Sequence, residues 1–187
     1  VNQDEVTALA TLMSLKTAAV GLPLGGGKGG VSVNPQDLSE SELEELSKKY
    51  AEHLAPHIGP TKDIPAPDVN TNSQIIDWMV EQYEIETGET NKASFTGKSM
   101  DNGGSKGREA ATGRGGVIAL SQFLKCIKQA DRDLTIAVQG FGNVGAFFCT
   151  TAETKQPTWK LIAVSDSKSA IKGKSLSAKK LETFKQT

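Results

Sequence analysis

The chain has 187 residues, 37% of them apolar and 23% charged, and 21 basic side chains against 22 acidic ones leave a net charge of −1. That apolar share excludes an intrinsically disordered segment, and the near-zero charge excludes a protein built chiefly to hold phosphate backbones. No run reaches the ~20 apolar residues of a membrane-crossing helix, since the most apolar stretch, residues 8–24, is broken by Lys16 and Pro23.

Residues 3–21 read as a helix capped by Asn2, with Asp4 and Glu5 in the first turn where the helix dipole favours anions. Apolar residues surround most of it, which predicts a buried helix, and Gly21 and Pro23 end it. A glycine-rich loop follows over 25–30, then a short strand over 31–33. Ser39-x-x-Glu42 and Ser41-x-x-Glu44 are both capping-box patterns, and the helix they open carries Leu43, Leu46, Tyr50 and Leu54 on one face. Residues 63–68 (DIPAPD) hold two prolines and read as extended. Thr71 or Ser73 then caps a helix with Ile76, Met79, Val80 and Tyr83 inward.

A helix is expected over 109–128 despite Gly113, Gly115 and Gly116. Residues 134–139 (LTIAVQ) and 160–165 (KLIAVS) read as two buried strands, joined by a glycine turn over 140–145 and a helix through Thr151. From Lys168 the chain carries six lysines against Glu182 alone and reads as a solvated helix face or loose end. The pieces imply an α/β chain in two parts: residues 1–106 mix helices and short strands, and residues 107–187 begin a strand–helix–strand unit preceded by a helix.

Cys126 and Cys149 have no metal-ligand spacing and read as buried or half-buried free thiols of a reducing compartment. Pro56 separates His53 from His57, so no metal site is expected. With no basic segment leading into an apolar one at the N-terminus, no signal peptide is read and a cytoplasmic location is expected. The chain opens on Val1 rather than on methionine, which suggests a piece of a longer protein.

Nineteen residues are glycine, and they cluster, which means backbone that must turn tightly or let a ligand come close. Gly140-Phe141-Gly142-Asn143-Val144-Gly145 is a G-x-G-x-x-G run between an expected strand and an expected helix. In that context the first glycine permits the turn, the second lets a pyrophosphate approach, and the third lets helix and strand pack. The free amides of the helix N-terminus face the phosphates. Asp166, 21 residues past Gly145, ends the next strand where a carboxylate can accept from a ribose hydroxyl. This predicts a nicotinamide-type nucleotide.

Three further residues carry chemistry. Lys16 is the only charged residue between Glu5 and Lys28, on the stripe of Val6, Leu9, Met13 and Val20. Such a lysine snorkels to the surface or meets an anion, for instance a substrate carboxylate. Lys28 stands among five glycines, where backbone and substrate can crowd close; no Ser or Thr follows it, so this is not a phosphate-binding Walker loop. In a dry cleft such a lysine does acid–base work near neutral pH. Asp68 ends the stiff segment Ile64-Pro65-Ala66-Pro67, and rigidity is what a proton-transfer group needs. Asp63, at the other end of that segment, competes for the role.

Taken together these residues resemble the glutamate/leucine/phenylalanine/valine dehydrogenase family. Its lysine signature stands here from Leu22 to Pro35 (LPLGGGKGGVSVNP) with every constrained position met. Lys16, DIPAPDVNTN (63–72), FTGK (95–98), ATGRG (111–115), GFGNVG and AVSDSK (163–168) follow in the family's order, covering nearly the whole chain. Within the family, Leu22-Pro-Leu and the 63–68 segment look like the members that act on glutamate. The resemblance implies oxidative deamination of L-glutamate to 2-oxoglutarate and ammonium with hydride transfer to NAD or NADP, with Lys16 on the α-carboxylate, Lys28 polarising the carbonyl and activating water, and Asp68 passing the proton on the nitrogen. It implies a substrate domain over 1–106 with a mixed sheet and helices, followed over 107–187 by the first half of a Rossmann-type dinucleotide-binding domain. It places Arg108 and Thr112 near the nicotinamide, and implies a homo-oligomer, a hexamer, with no nucleic-acid or membrane partner. Asp166 favours NAD, while Ser167 and Lys168 can receive a 2′-phosphate.

Other readings are a leucine, valine or phenylalanine dehydrogenase and a non-catalytic nucleotide-binding module on the same scaffold. The family's further lysine for the side-chain carboxylate of glutamate lies upstream of this chain's start, and only two strands of the nucleotide domain are expected here. The chain therefore reads as an internal piece of a longer enzyme, with little or no activity as it stands.

Overall fold

The structure, a computed structural model, describes residues 1–90, 92–130 and 132–186. It divides into two compact units, Val1–Ser105 and Lys106–Thr187.

The first unit is helical. Helix α1 (Gln3–Ala19) starts where Asn2 accepts from the Glu5 amide at 2.9 Å. The expectation that α1 is buried is corrected: Leu12, Leu15 and Val20 stay exposed, and Thr17 is its buried residue. Within this unit α1 meets the glycine loop along one face, so apolar residues pointing elsewhere find no cover. A single 3-10 turn, Pro35–Asp37, leads into α2 (Glu40–Leu54). The capping box forms at Ser39 and Glu42, with the Glu42 carboxylate accepting from the Ser39 amide at 2.8 Å; Ser41 is not the cap.

Helix α3 (Ser73–Thr87) is capped by Asn72, whose side chain accepts from the Ile75 amide at 3.0 Å, rather than by Thr71 or Ser73. Helices α2 and α3 close on a core of Ala51, Ala55, Ile58, Ile75, Ile76, Met79, Val80, Tyr83 and Phe95. The Tyr83 and Phe95 rings meet edge to face at 5.8 Å. Residues 31–33 do not form the expected strand. They are exposed, and the Val33 amide donates back to the Val31 carbonyl at 3.1 Å, a tight turn in place of a ladder; among the described residues of this unit no strand forms. Among the described residues the mixed sheet is that of the second unit.

The second unit is α/β. It comprises α4 (Arg108–Cys126), β1 (Leu134–Gln139), α5 (Asn143–Lys155), β2 (Trp159–Ser165), β3 (Ala170–Lys172) and α6 (Ala178–Gln186). The sheet order is β1-β2-β3. Strands β1 and β2 are parallel, as a strand–helix–strand crossover requires. Strand β1 lies at the sheet edge with its residues alternately half-buried and exposed, rather than buried throughout. Strand β3, absent from the sequence reading, pairs antiparallel with β2, with Val164 opposite Ile171. The reversal is made by Asp166, whose Oδ1 accepts from the amides of Lys168 and Ser169 at 2.9 and 3.0 Å.

The glycines of α4 have a steric cause. A Cβ at Gly113 would strike the Phe147–Phe148 backbone of α5, so the two helices cross at a distance only glycine allows. That contact offsets the ~1 kcal/mol helix cost of glycine. Helix α6 buries Ala178 and Leu181 beside Phe141, Cys149 and Val164 and turns Lys179 and Lys180 outward. The Cys149 thiol is buried, and desolvation pushes it up to about 11; Cys126 is exposed rather than half-buried. No helix of the described residues is long and apolar enough to cross a membrane.

Candidate active site

The first unit brings Lys28 and Asp68 together, 40 residues apart in sequence, as an ion pair. Each is held by its own backbone device. The Lys28 loop lies directly on α1: a Cβ at Gly26 would strike the Ser14 amide and the Ala10 carbonyl. The Thr17 hydroxyl reaches the Leu24 carbonyl at 2.9 Å, and the Leu22 amide donates to the Thr17 carbonyl at 3.0 Å. From the other side the Tyr50 hydroxyl of α2 sits against Gly29, and burial pushes that phenol up.

Asp68 ends the extended 63–68 segment. Its amide donates to the Thr71 hydroxyl at 2.6 Å, and that hydroxyl donates back to the Asp68 carbonyl at 2.8 Å. Thr71, read from the sequence as a helix cap, is thus the residue that fixes the carboxylate's backbone. The Thr96 amide braces the same segment by donating to the Pro65 carbonyl at 2.9 Å. The Lys28 side chain is 17% exposed and that of Asp68 56%. An ammonium shielded by its loop beside a carboxylate open to solvent leaves the pair within reach of a small substrate.

Lys16 is exposed on α1, and among the described residues no hydrogen bond or ion pair joins it to Lys28 or Asp68. Asp63 lies beside Gly27, its Oδ2 3.4 Å from the position a Cβ there would take, next to the lysine but outside the ion pair.

The second unit holds the glycine turn. Gly140 has φ +91°, a conformation glycine adopts freely, and the amides of Gly140 and Phe141 both donate to the Ser165 carbonyl, at 2.8 and 2.9 Å. The turn is therefore sewn to the end of β2. A Cβ at Gly145 would strike the Gly140 carbonyl, so the first turn of α5 packs against the strand end. The Phe141 side chain is buried in the core, and only the backbone of that residue lies in the turn. No side chain caps α5 at Gly142, and a Cβ there would meet open space. The amides of Asn143, Val144 and Gly145 are left without an intrahelical partner, beside room for a ligand. That fits a pyrophosphate. Asn143 also donates through Nδ2 to the Glu109 carbonyl at 3.3 Å, tying α5 to the start of α4, where Arg108 and Thr112 are exposed.

Asp166 is half-buried beside this turn, and Ser167 is exposed next to it. The amides of Lys168 and Ser169, and then Lys185, hold its carboxyl below the ordinary carboxylate range. Sequence reasoning missed Lys185. From α6 its Nζ donates to the Phe141 carbonyl at 2.6 Å and stands 3.3 Å from Asp166 Oδ2. The only available signal was a lysine on the amphipathic tail helix, and nothing in the sequence says which lysine of six turns inward.

Two family models match the chain: the Glu/Leu/Phe/Val dehydrogenase dimerisation domain over residues 1–85, and Glutamate/Leucine/Phenylalanine/Valine dehydrogenase over 103–186. The chain belongs to the Glu/Leu/Phe/Val dehydrogenase family. Among curated relatives, NAD-specific glutamate dehydrogenase of Peptoniphilus asaccharolyticus is 46% identical over 167 residues, 89% of this chain and 39% of that protein. NADP-specific glutamate dehydrogenase of Synechocystis is 44% identical over 171 residues, 91% of this chain and 40% of that protein. Among solved structures, hetero-hexameric glutamate dehydrogenase from Thermus thermophilus in its Leu-bound form superposes with a TM-score of 0.93 at 34% identity, covering 100% of this chain and 45% of that one. This member of the dehydrogenase family thus spans about two fifths of the length of the curated relatives it matches. Its α/β class agrees with theirs, and relatives of both coenzyme types match it about equally well.

Proposed function

We propose that the protein carrying this sequence oxidises L-glutamate: L-glutamate, NAD(P)⁺ and water give 2-oxoglutarate, ammonium, NAD(P)H and a proton, and the reverse reaction aminates 2-oxoglutarate. The observation that carries this reading is the Lys28–Asp68 ion pair, one partner on a glycine loop and the other on a proline-stiffened arm.

The nicotinamide coenzyme, when bound, supplies the acceptor for the hydride that leaves the substrate Cα. Every other step falls to side chains of this chain. Lys16 binds the α-carboxylate as a point charge. Asp68 takes a proton from the substrate ammonium, which frees the nitrogen lone pair. Lys28 stabilises negative charge on the oxygen as water adds to the iminium carbon and gives up one proton to solvent. The Asp68 proton then returns to the nitrogen, and as the C–N bond breaks and the carbonyl forms, the hydroxyl proton passes to the departing ammonia, which leaves as ammonium. The pairing suits this cycle because it holds the ammonium that faces the reacting oxygen beside the carboxylate that serves the nitrogen. The open N-terminus of α5 and the Gly142 space support the coenzyme's pyrophosphate, Asp166 and Ser167 its ribose, and Arg108 and Thr112 its nicotinamide end. The same reading carries a homo-oligomer of six copies in the cytoplasm; the hetero-hexameric Thermus thermophilus relative supports an assembly of six chains.

The test is coenzyme reduction, followed by near-ultraviolet absorbance, with the complete protein and either NAD⁺ or NADP⁺. Reduction with L-glutamate is expected, and leucine, valine and phenylalanine are expected to be poor substrates. A preference for one of those three would make it a sister enzyme of the family. Nucleotide binding without reduction of either coenzyme would make it a non-catalytic module.

A further inference from the structure

We infer that Thr17 is a positioning residue for Lys28, a clasp whose hydroxyl locks the glycine loop onto the helix that carries Lys16. The inference rests on the reaction proposed above for its kinetic consequence, but not for its structural content.

Thr17 is the buried residue of a helix otherwise exposed or half-exposed, at 7%. An exposed helix has no packing reason to bury a hydroxyl, and a buried hydroxyl needs a partner. Within reach are the Met13 and Ser14 carbonyls of its own helix, at 3.2 and 3.0 Å, and the Leu24 carbonyl of the loop, nearer still at 2.9 Å. Threonines 7 and 11 of the same helix show the ordinary alternative. They are exposed, and each donates to the carbonyl four residues back, at 2.8 and 2.9 Å, touching no loop. Thr17 differs because its backbone carbonyl also takes the Leu22 amide, so one residue grips the loop entry by both side chain and main chain.

Four residues beyond Leu24 stands Lys28. The glycines between them bring no side chain to fix their path, so the loop's position depends on where it is pinned. The pins are Thr17 at Leu24 and the backbone contact of Gly26 with Ala10 and Ser14. Lys16, adjacent to Thr17, keeps its place on the helix whether or not the loop is held. Loss of the clasp therefore displaces the lysine that does chemistry and spares the lysine that binds. That separates kcat from KM, which a general loss of stability does not.

The experiment uses the complete protein with Thr17→Val, which keeps the shape and removes the donor, Thr17→Ser, which restores the donor, and Thr11→Val as the same change without a loop contact. Thr17→Val is expected to lower kcat about tenfold, a small misplacement of a catalytic group being enough, with the KM for glutamate and for coenzyme within about twofold. Thr17→Ser is expected to recover most of the rate, and Thr11→Val to match the wild type. If Thr17→Val does not fold, Thr17→Cys, a weaker donor of similar size, takes its place with a smaller loss of kcat. Amide hydrogen exchange reads the clasp without reference to any reaction. Residues 22–30 are expected to exchange faster in Thr17→Val while α1 keeps its rates. Wild-type kcat together with wild-type exchange in Thr17→Val overturns the inference, as does an equal loss of kcat in Thr17→Ser or Thr11→Val. Absence of glutamate oxidation by the wild-type protein would instead overturn the proposed reaction, leaving the exchange result to decide the clasp.

Discussion

Two glycine-rich segments serve opposite ends in this molecule. In residues 22–30 the glycines clear space around one side chain, Lys28, and neighbours grip the backbone so that this side chain arrives beside Asp68. In residues 140–145 the glycines clear space for the backbone itself. The Phe141 side chain is turned into the core, the amides of Gly140 and Phe141 are spent on Ser165, and the amides at the start of α5 are left without a capping side chain. The first segment delivers a functional group and the second delivers dipoles. Similar composition thus supports covalent chemistry in one case and anion binding in the other, and what separates them is whether a helix begins at the glycines.

The sharpest way to break this comparison is to remove the delivered group. Lys28→Met and Asp68→Asn are each expected to lower kcat of the complete protein by about 10²–10⁴-fold, the range for loss of a positioned acid–base group, with coenzyme affinity, measured by fluorescence titration, unchanged. Equal losses of rate and of coenzyme affinity would mean that the loop is scaffold, not chemistry. A smaller but substantial effect is expected where backbone is the working part. Gly145→Ala drives a Cβ into the Gly140 carbonyl and is expected to cost about 1–3 kcal/mol of stability by thermal or denaturant unfolding. Coenzyme KM should rise with it, because the turn must open. Wild-type stability there would show that the turn is slack.

How much of this was legible in the sequence depends on how local each cause is. Lys28 and Asp68 could be singled out because their neighbours are extreme: five glycines around one, two prolines before the other. Asn2 and Ser39 could be read as caps because capping acts within four residues. Thr71 misled because a threonine three residues past an aspartate can serve either a helix start or a turn, and Asn72 wins the helix. Strand β3 is three residues long with Lys172 at its end, so propensity carries no signal, and its existence follows from the side chain of Asp166 turning the chain back. The exposure of α1 was not legible at all, since an apolar pattern records what a helix can bury and not what is present to bury it.

Lys185 belongs to the same class of hidden causes, since 44 residues separate it from the carbonyl it holds. It also sharpens the comparison most finely. If the 140–145 turn works through its backbone, a charged side chain beside it should tune coenzyme choice without making or abolishing binding. The Lys185 ammonium, near Asp166 Oδ2 at 3.3 Å, offsets a carboxylate that would otherwise repel a 2′-phosphate. Lys185→Met is therefore expected to raise the KM for NADP⁺ by a few fold relative to that for NAD⁺, in keeping with the modest worth of an ion pair open to solvent, and Lys185→Arg to keep the wild-type ratio. Acidity supplies an independent reading. The Asp166 carboxyl lies below its ordinary value chiefly because two backbone amides hold the ionised form, with Lys185 adding to them. The stability it contributes is present above the unfolded-state pKa and is lost as pH falls through the lower folded value. Removing Lys185 moves that loss toward higher pH but leaves the amides in place, so the acid limb of unfolding should shift only slightly. A large shift, or abolished binding of both coenzymes, would show that the turn depends on this side chain, and the contrast between the two glycine segments would not stand.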